Sequence, residues 1–379
     1  MKSVPATTCL LLVVLSSLST ADEVVFVRDG AESTLACEIL VIAQNDEMLV
    51  RATDGRLWVF TPEEIVSFSD TDEVPDPMRA SDIGDMLLEE LPEGFRIYKT
   101  DSFVVAYQTE RTYARWVGGL YEKVFRNFEK FWDENDLELT DPDFPLVAIV
   151  FATREQYLQY VQQDLNAAAG TMVAYYNQIN NRVVMYDLTS DLVGAGQQLS
   201  ARRVADILST DAAVPLVSTI VHEGIHQQIF NRGMQQRLAD APLWLHEGLA
   251  LFFEPPDPGS GRGWNQMGHI NMLRYPGFMR TISTRAPGAL EQLVATDELF
   301  LNGETAVEAY SHAWALNYFL INEHPEKMVS YIKYMARKEP FDFDAETLAE
   351  TRLREFKQHF GEDLGMLDRE FIAFMRALN

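Results

Sequence analysis

Apolar residues in this chain change their spacing along its length, and that change limits the fold more than any other feature. Between residues 22 and about 70 they fall in short β-branched or aromatic runs, "EVVFV", "CEILVIA", "MLVRA" and "LWVF". Turn signals at Asn45-Asp46 and Asp54-Gly55 break the runs, a pattern that predicts a small β-barrel or β-sandwich over 22–70. The acidic, proline-bearing "SDTDEVPDP" (69–77) opens a linker expected over 71–90. From about residue 91 strands and helices mix. "FRIYKTDSFVVAYQ" (95–108) and "TMVAYYNQINNRVVMYDL" (171–188) read as hairpins, and "PLVAIVFA" (145–152) as a buried strand. The stretch 109–135 carries apolar residues every three or four positions, as an amphipathic helix does, and a second helix is expected from Arg154 to about Asn166. From about 201 nearly everything reads as helix. Strands followed by a run of helices give an α+β fold.

Within the helical half, "STIVHEGIHQQIF" (218–230) stands out. Val217, Ile220, Val221, Ile225 and Ile229 make an apolar stripe, and Pro215 fits the first turn, where a missing N–H costs nothing. Residues four apart on a helix lie about 40° apart around its axis. His222 and His226 therefore project side by side, able to share one zinc ion. Glu223 is rotated about 100° from His222, placing its carboxylate where it can serve as general base without ligating the metal. Two histidines and a glutamate on so apolar a helix would be costly to bury without a partner.

A catalytic zinc needs a third protein ligand and an open position. The next apolar helix, "PLWLHEGLALFFE" (242–254), offers Glu247 from an antiparallel neighbour, with His246 and Glu254 as competing ligands. Only Cys37 follows the amino-terminal apolar run, so cysteine-rich zinc modules and internal disulfides are excluded.

"VHEGIH" followed by "LWLHEGLALFFE" resembles the gluzincins, zinc peptidases with two helical histidines and a glutamate from the following helix. "W-L-x-E-G-x-A" is similar to the phrase of the aminopeptidase N group, and the closer resemblance is to predicted exported bacterial peptidases of that clan. It implies a zincin-like domain over 91–379, a small mixed sheet followed by a helical subdomain, with His222, His226 and Glu247 as ligands of one Zn²⁺ and Glu223 as base. It also points to "AYSHAWALNYFL" (309–320), where relatives place a tyrosine that stabilises the oxyanion. Tyr310 stands there, with His312 as the alternative. The implied activity is peptide-bond hydrolysis by Glu-assisted attack of a zinc-bound water, with a polypeptide as substrate. The gap between His226 and Glu247 is 20 residues, one or two longer than in the best-known members. Two further departures matter. The glycine-rich phrase with a glutamate that grips a substrate amino terminus is missing, which favours an endopeptidase over an aminopeptidase. Leu251 stands where thermolysin-like members carry an acid, leaving the outer partners of the histidines unassigned. Two other readings stay open: a non-catalytic exported binding or scaffold protein with a structural or vestigial zinc site, and a zinc hydrolase of a non-peptide amide or ester.

Residues 1–21 read as a secretory signal. Lys2 precedes the run "CLLLVVLSSL", which is too short to span a bilayer, and Ser19 and Ala21 suit cleavage before Asp22. A periplasmic or extracellular location is expected, with no stable membrane span. Losing Lys2 takes the 31 Lys and Arg to 30 against 57 Asp and Glu, a net charge of −27. So acidic a surface repels nucleic acid.

Overall fold

Strand β1 (Glu23–Arg28) points Val24 and Phe26 to one side and Val25 and Val27 to the other, the period-2 pattern of a half-covered sheet. It pairs antiparallel with β2 (Ala31–Ile42), which pairs antiparallel with β3 (Met48–Ala52). β4 (Leu57–Phe60) flanks β3, and β5 (Ile65–Ser69) adds antiparallel to the far side of β1. The order is β4-β3-β2-β1-β5. This computed structural model describes residues 22–71, 73–165, 172–194, 196–258 and 263–378. The signal-peptide reading of 1–21 falls outside them. Among the described residues no helix is long and apolar enough to cross a membrane.

The amino-terminal unit comprises the chain up to Thr53 with Trp58–Asp76. It is one open sheet, which corrects the expected barrel or sandwich. β4 and β5 end up on opposite edges, so the sheet neither closes on itself nor forms a second layer. The spacing of apolar residues fixes which side of a strand is buried, not which edges meet. Its core joins Val24, Phe26, Cys37, Met48, Val50 and Phe60. Burial pushes the Cys37 thiol up to about 12, so it behaves as a small apolar group.

The second unit comprises Asp54–Leu57 and the chain from Pro77 onward. It begins with helix α1 (Ala80–Glu90), which occupies half of the stretch expected to be linker. The reason is local: Ile83 and Leu87, four apart, are fully buried among the residues of this unit's core. Next come β6 (Arg96–Lys99) and β7 (Phe103–Tyr107), a hairpin, then α2 (Arg111–Asp133), β8 (Leu146–Phe151) and α3 (Arg154–Asp164). β9 (Ala174–Asn177) and β10 (Arg182–Tyr186) form a second hairpin. The sheet order is β6-β7-β8-β10-β9, with β7, β8 and β10 parallel and both edges antiparallel. Every residue of β7, β8 and β10 is buried, as in a sheet covered on both faces. α2 lies against β7, and β9 is an edge.

Helices make up the rest: α4 (Leu188–Val193), α5 (Ala201–Leu208), α6 (Val214–Asn231), α7 (Leu243–Phe253), α8 (Tyr275–Thr281), α9 (Ala289–Ala295), α10 (Glu298–Leu301), α11 (Ala306–Glu323), α12 (Pro325–Met335), α13 (Leu348–Phe360) and α14 (Leu364–Ala377). α6 packs on β9 and β10, and α7 lies between α6 and α11. Trp244, Leu245, Leu249, Leu251, Phe252 and Phe253 of α7 are almost wholly buried, each worth about 1.5–3 kcal/mol of transfer free energy. A buried ion network anchors the α6–α7 connection. Asp240 accepts from Arg352 at 2.7 Å and from Lys338 at 2.8 Å. Arg352 also bonds Asp297 at 2.9 Å, and Asp297 in turn accepts from the Leu243 N–H at the start of α7.

Candidate metal centre

The apolar residues of α6 lock the helix against the sheet and α7, so its two histidines cannot drift. His222 Nε2 lies 3.0 Å from His226 Nε2 and 3.2 Å from Glu247 Oε2, and His226 Nε2 lies 3.5 Å from the same oxygen. Ligand atoms of a tetrahedral zinc at 2.0–2.1 Å stand about 3.3 Å from each other. The triangle therefore has the size of three corners of such a site. His222, His226 and Glu247 can hold a metal ion, and they are the cluster of that kind among the described residues.

Close approach of the helices makes the triangle possible. Gly248, next to Glu247, faces α11: a Cβ there would stand 1.9 Å from Asn317 Nδ2 and 2.6 Å from the Ala313 carbonyl oxygen. Asn317 spans the gap, donating to the carbonyls of Trp244 and Ala313.

Glu254 closes the back of the site. It sits at the C-cap of α7, seven residues after Glu247 and so on the same face. Its Oε2 is 2.9 Å from His222 Nδ1. With that ring N–H donated to the carboxylate, Nε2 presents its lone pair to the cluster. Glu254 Oε1 accepts from Asn271 Nδ2 at 2.8 Å, and the same amide reaches the Leu251 carbonyl. The sequence offers Glu254 as a rival ligand; its place is beside His222 instead. His246, the other rival, stacks on the His226 ring at 4.1 Å and bonds Gln235 Oε1. Burial takes its pKa down to about 3, so the ring is neutral.

Acidic groups crowd this pocket. Burial opposes ionisation of Glu247, yet His226 and His222 hold its carboxyl well below the usual range. Burial likewise works against a charged His222, but Glu247 and Glu254 raise its pKa well above normal. Three carboxylates, those of Glu223, Glu247 and Glu254, share the site with two imidazoles. A divalent ion answers that excess, and the nitrogen-plus-carboxylate donor set suits a borderline ion such as zinc.

Glu223 stands outside the triangle. Its Oε2 accepts the Tyr176 backbone N–H at 2.8 Å. Burial raises its pKa, against the pull of His222 and His226. Strand β9 thus spends one outward N–H on the carboxylate next to the cluster. A cleft of about 390 Å³ opens on all four of these side chains, with Tyr176, Arg274 and Tyr310 among its other walls. The Tyr310 pKa is raised by burial and then by Glu247 and Glu223. His312 lies elsewhere, bonded to Thr281 Oγ1 and Arg285, each at 2.8 Å. Of the two oxyanion candidates, Tyr310 alone lines the cleft.

Sequence reading did not single out Asn271 or Arg274. Both sit on the turn before α8, and their place beside Glu254 depends on the chain folding back over the end of α7. No local spacing announces that.

The site defines a class of centre: two histidines one turn apart on one helix and a carboxylate from the next. A family model described as a protein of unknown function (DUF1570) matches residues 216–342, roughly a third of the chain. The match covers His222, Glu223, His226, Glu247, Glu254 and Tyr310, and leaves the amino-terminal sheet outside it. No curated protein matches the chain.

Proposed function

We propose that the chain is an exported, zinc-dependent peptidase of gluzincin type. The observation that supports it best is the pairing of a metal-sized His222–His226–Glu247 triangle with Glu223, which lines the same cleft and ligates nothing. A purely structural zinc site is closed by four protein ligands and has no use for an adjacent free carboxylate.

When bound, zinc would polarise the scissile carbonyl and acidify water in the cleft. The protein's own groups do the rest. Burial raises the Glu223 pKa, which makes its carboxylate a better proton acceptor. Tyr176 N–H holds that carboxylate in place. Glu223 takes a proton from the attacking water and returns it to the leaving amine. The Tyr310 hydroxyl donates toward the oxyanion, a contribution of about 3 kcal/mol when preorganised. Ala174 and Tyr176 share the outward-facing register of the edge strand β9, since their neighbours alternate toward β10. With the Tyr176 N–H spent on Glu223, the remaining backbone groups of that register suit an extended peptide.

The test is metal analysis with a Glu223→Gln variant of the mature protein. The expected result is one zinc per chain in both forms, with metal-dependent cleavage of peptides lost by at least about 10³-fold in the variant. Native protein without metal would overturn the reading. Full metal with hydrolysis of esters or non-peptide amides alone would move the activity to that class.

A further inference from the structure

Arg274 is the one lysine or arginine among the described residues that line the cleft, and the metal chemistry above does not use it. Its side chain is about 30% exposed. Its Cζ stands over the Tyr310 ring, 5.6 Å from the centroid. Its Nε is buried without a hydrogen-bond partner, 4.0 Å from Glu254 Oε1. That oxygen is already bonded by Asn271, and the other oxygen by His222. Arg274 and Glu254 make an ion pair at 4.0 Å, which is too long for a hydrogen bond. No hydrogen bond from its terminal guanidinium nitrogens is found among the described residues, and the residue lines the cleft.

An arginine held beside a tyrosine ring can still present its planar fork of donors to a carboxylate. The surroundings sharpen the point. The cleft already holds Glu223, Glu247 and Glu254, and the chain is strongly acidic. An anionic group entering such a cleft is repelled unless a cation receives it.

We propose that Arg274 is a substrate-binding residue that takes a carboxylate of the peptide close to the scissile bond. This rests on the peptidase reading above and deepens it. The carboxylate comes from either of two sources, the free C-terminus of the substrate or an Asp or Glu side chain. The first makes the protein a cutter near C-termini; the second makes it an endopeptidase with an acidic preference.

The experiment uses metal-loaded mature protein and matched hexapeptides. One pair differs only in a free against an amidated C-terminus, and the other in Glu against Gln beside the cleaved bond. The carboxylate member of one pair is expected to have a kcat/KM at least about tenfold higher, the scale of a charge-assisted bond. Which pair shows it identifies the source. In Arg274→Gln that ratio falls to near one, and Arg274→Lys restores part of it, because a point charge replaces the fork. Zinc content and unfolding midpoint of both variants stay at wild-type values. Fluorescence anisotropy of the same labelled peptides on metal-loaded Glu223→Gln gives the ranking without turnover. Equal ratios in wild type and Arg274→Gln, or no carboxylate preference in rate and binding, overturn the proposal. Binding with carboxylate preference but no hydrolysis by wild type would sustain the Arg274 role and reject the peptidase reading.

Discussion

At the scale of single residues, the candidate cluster depends on a side chain that stands outside it. Glu254 fixes the His222 tautomer through one bond of 2.9 Å. Without its negative charge, Nδ1–H has a weaker acceptor and Nε2 is a poorer donor to a cation. Glu254→Gln should therefore keep the fold and weaken zinc binding by about 10–100-fold, read by competition with a chromogenic chelator. An unchanged affinity would show that His222 needs no such partner. Tyr310 and His312 make a second comparison at this scale. They lie two apart on α11, so they point about 160° apart, and only one of them can face a given cleft. The sequence presents both; the packing of His312 against Thr281 and Arg285 decides between them.

At the scale of elements, the site is held by how closely helices pass. Gly248→Ala should destabilise the protein by about 1–3 kcal/mol, because a methyl at 1.9 Å from Asn317 forces α7 from α11. Gly119 of α2 supplies the control: nothing lies within 4 Å of its missing Cβ, so Gly119→Ala should gain about 0.5–1 kcal/mol. Urea unfolding of the two variants should move in opposite directions; a shared direction would rule out the contact argument. Most elements were legible in the sequence for the same local reasons. The 3.6-residue stripes of α2 and α6 and the Asn180-Asn181 turn of the β9–β10 hairpin are signals within one window. α1 was hidden among acids, with only Ile83 and Leu87 to betray it, and β5, "IVSFS", was too short and too polar to declare itself.

At the scale of the whole chain, long-range partners decide what local patterns cannot. The Asp240 network joins the α6–α7 connection to the segment after α12 and to α13 across about a hundred residues of sequence. Burial would raise the Asp240 pKa, but Arg352 and Lys338 hold it below the unfolded value of 3.8. Its stabilising contribution is thus fully present above about pH 3.8 and is lost as pH falls through the lower folded pKa. Asp240→Asn should cost about 3 kcal/mol at pH 7, leaving two buried cations short of a partner. The gap to wild type should narrow below pH 3.8, read from denaturant unfolding at both pH values. A gap independent of pH would mean that size or shape, not charge, is what Asp240 supplies. The His222–His226 pair was legible because a helix repeats every 3.6 residues. Arg274 was not, since its neighbours Glu254 and Tyr310 lie 20 and 36 positions away.

The converging nitrogens and oxygen are supported by helices that bury their own apolar faces, so their spacing does not wait for an ion. A chelator should then empty the centre without unfolding the chain, unlike a zinc finger. A site already built also has little power to choose its occupant. Two imidazoles and a carboxylate accept cobalt, nickel or copper, and copper would win on intrinsic affinity. Which ion such a site would take is then decided by what the surroundings supply where the chain folds.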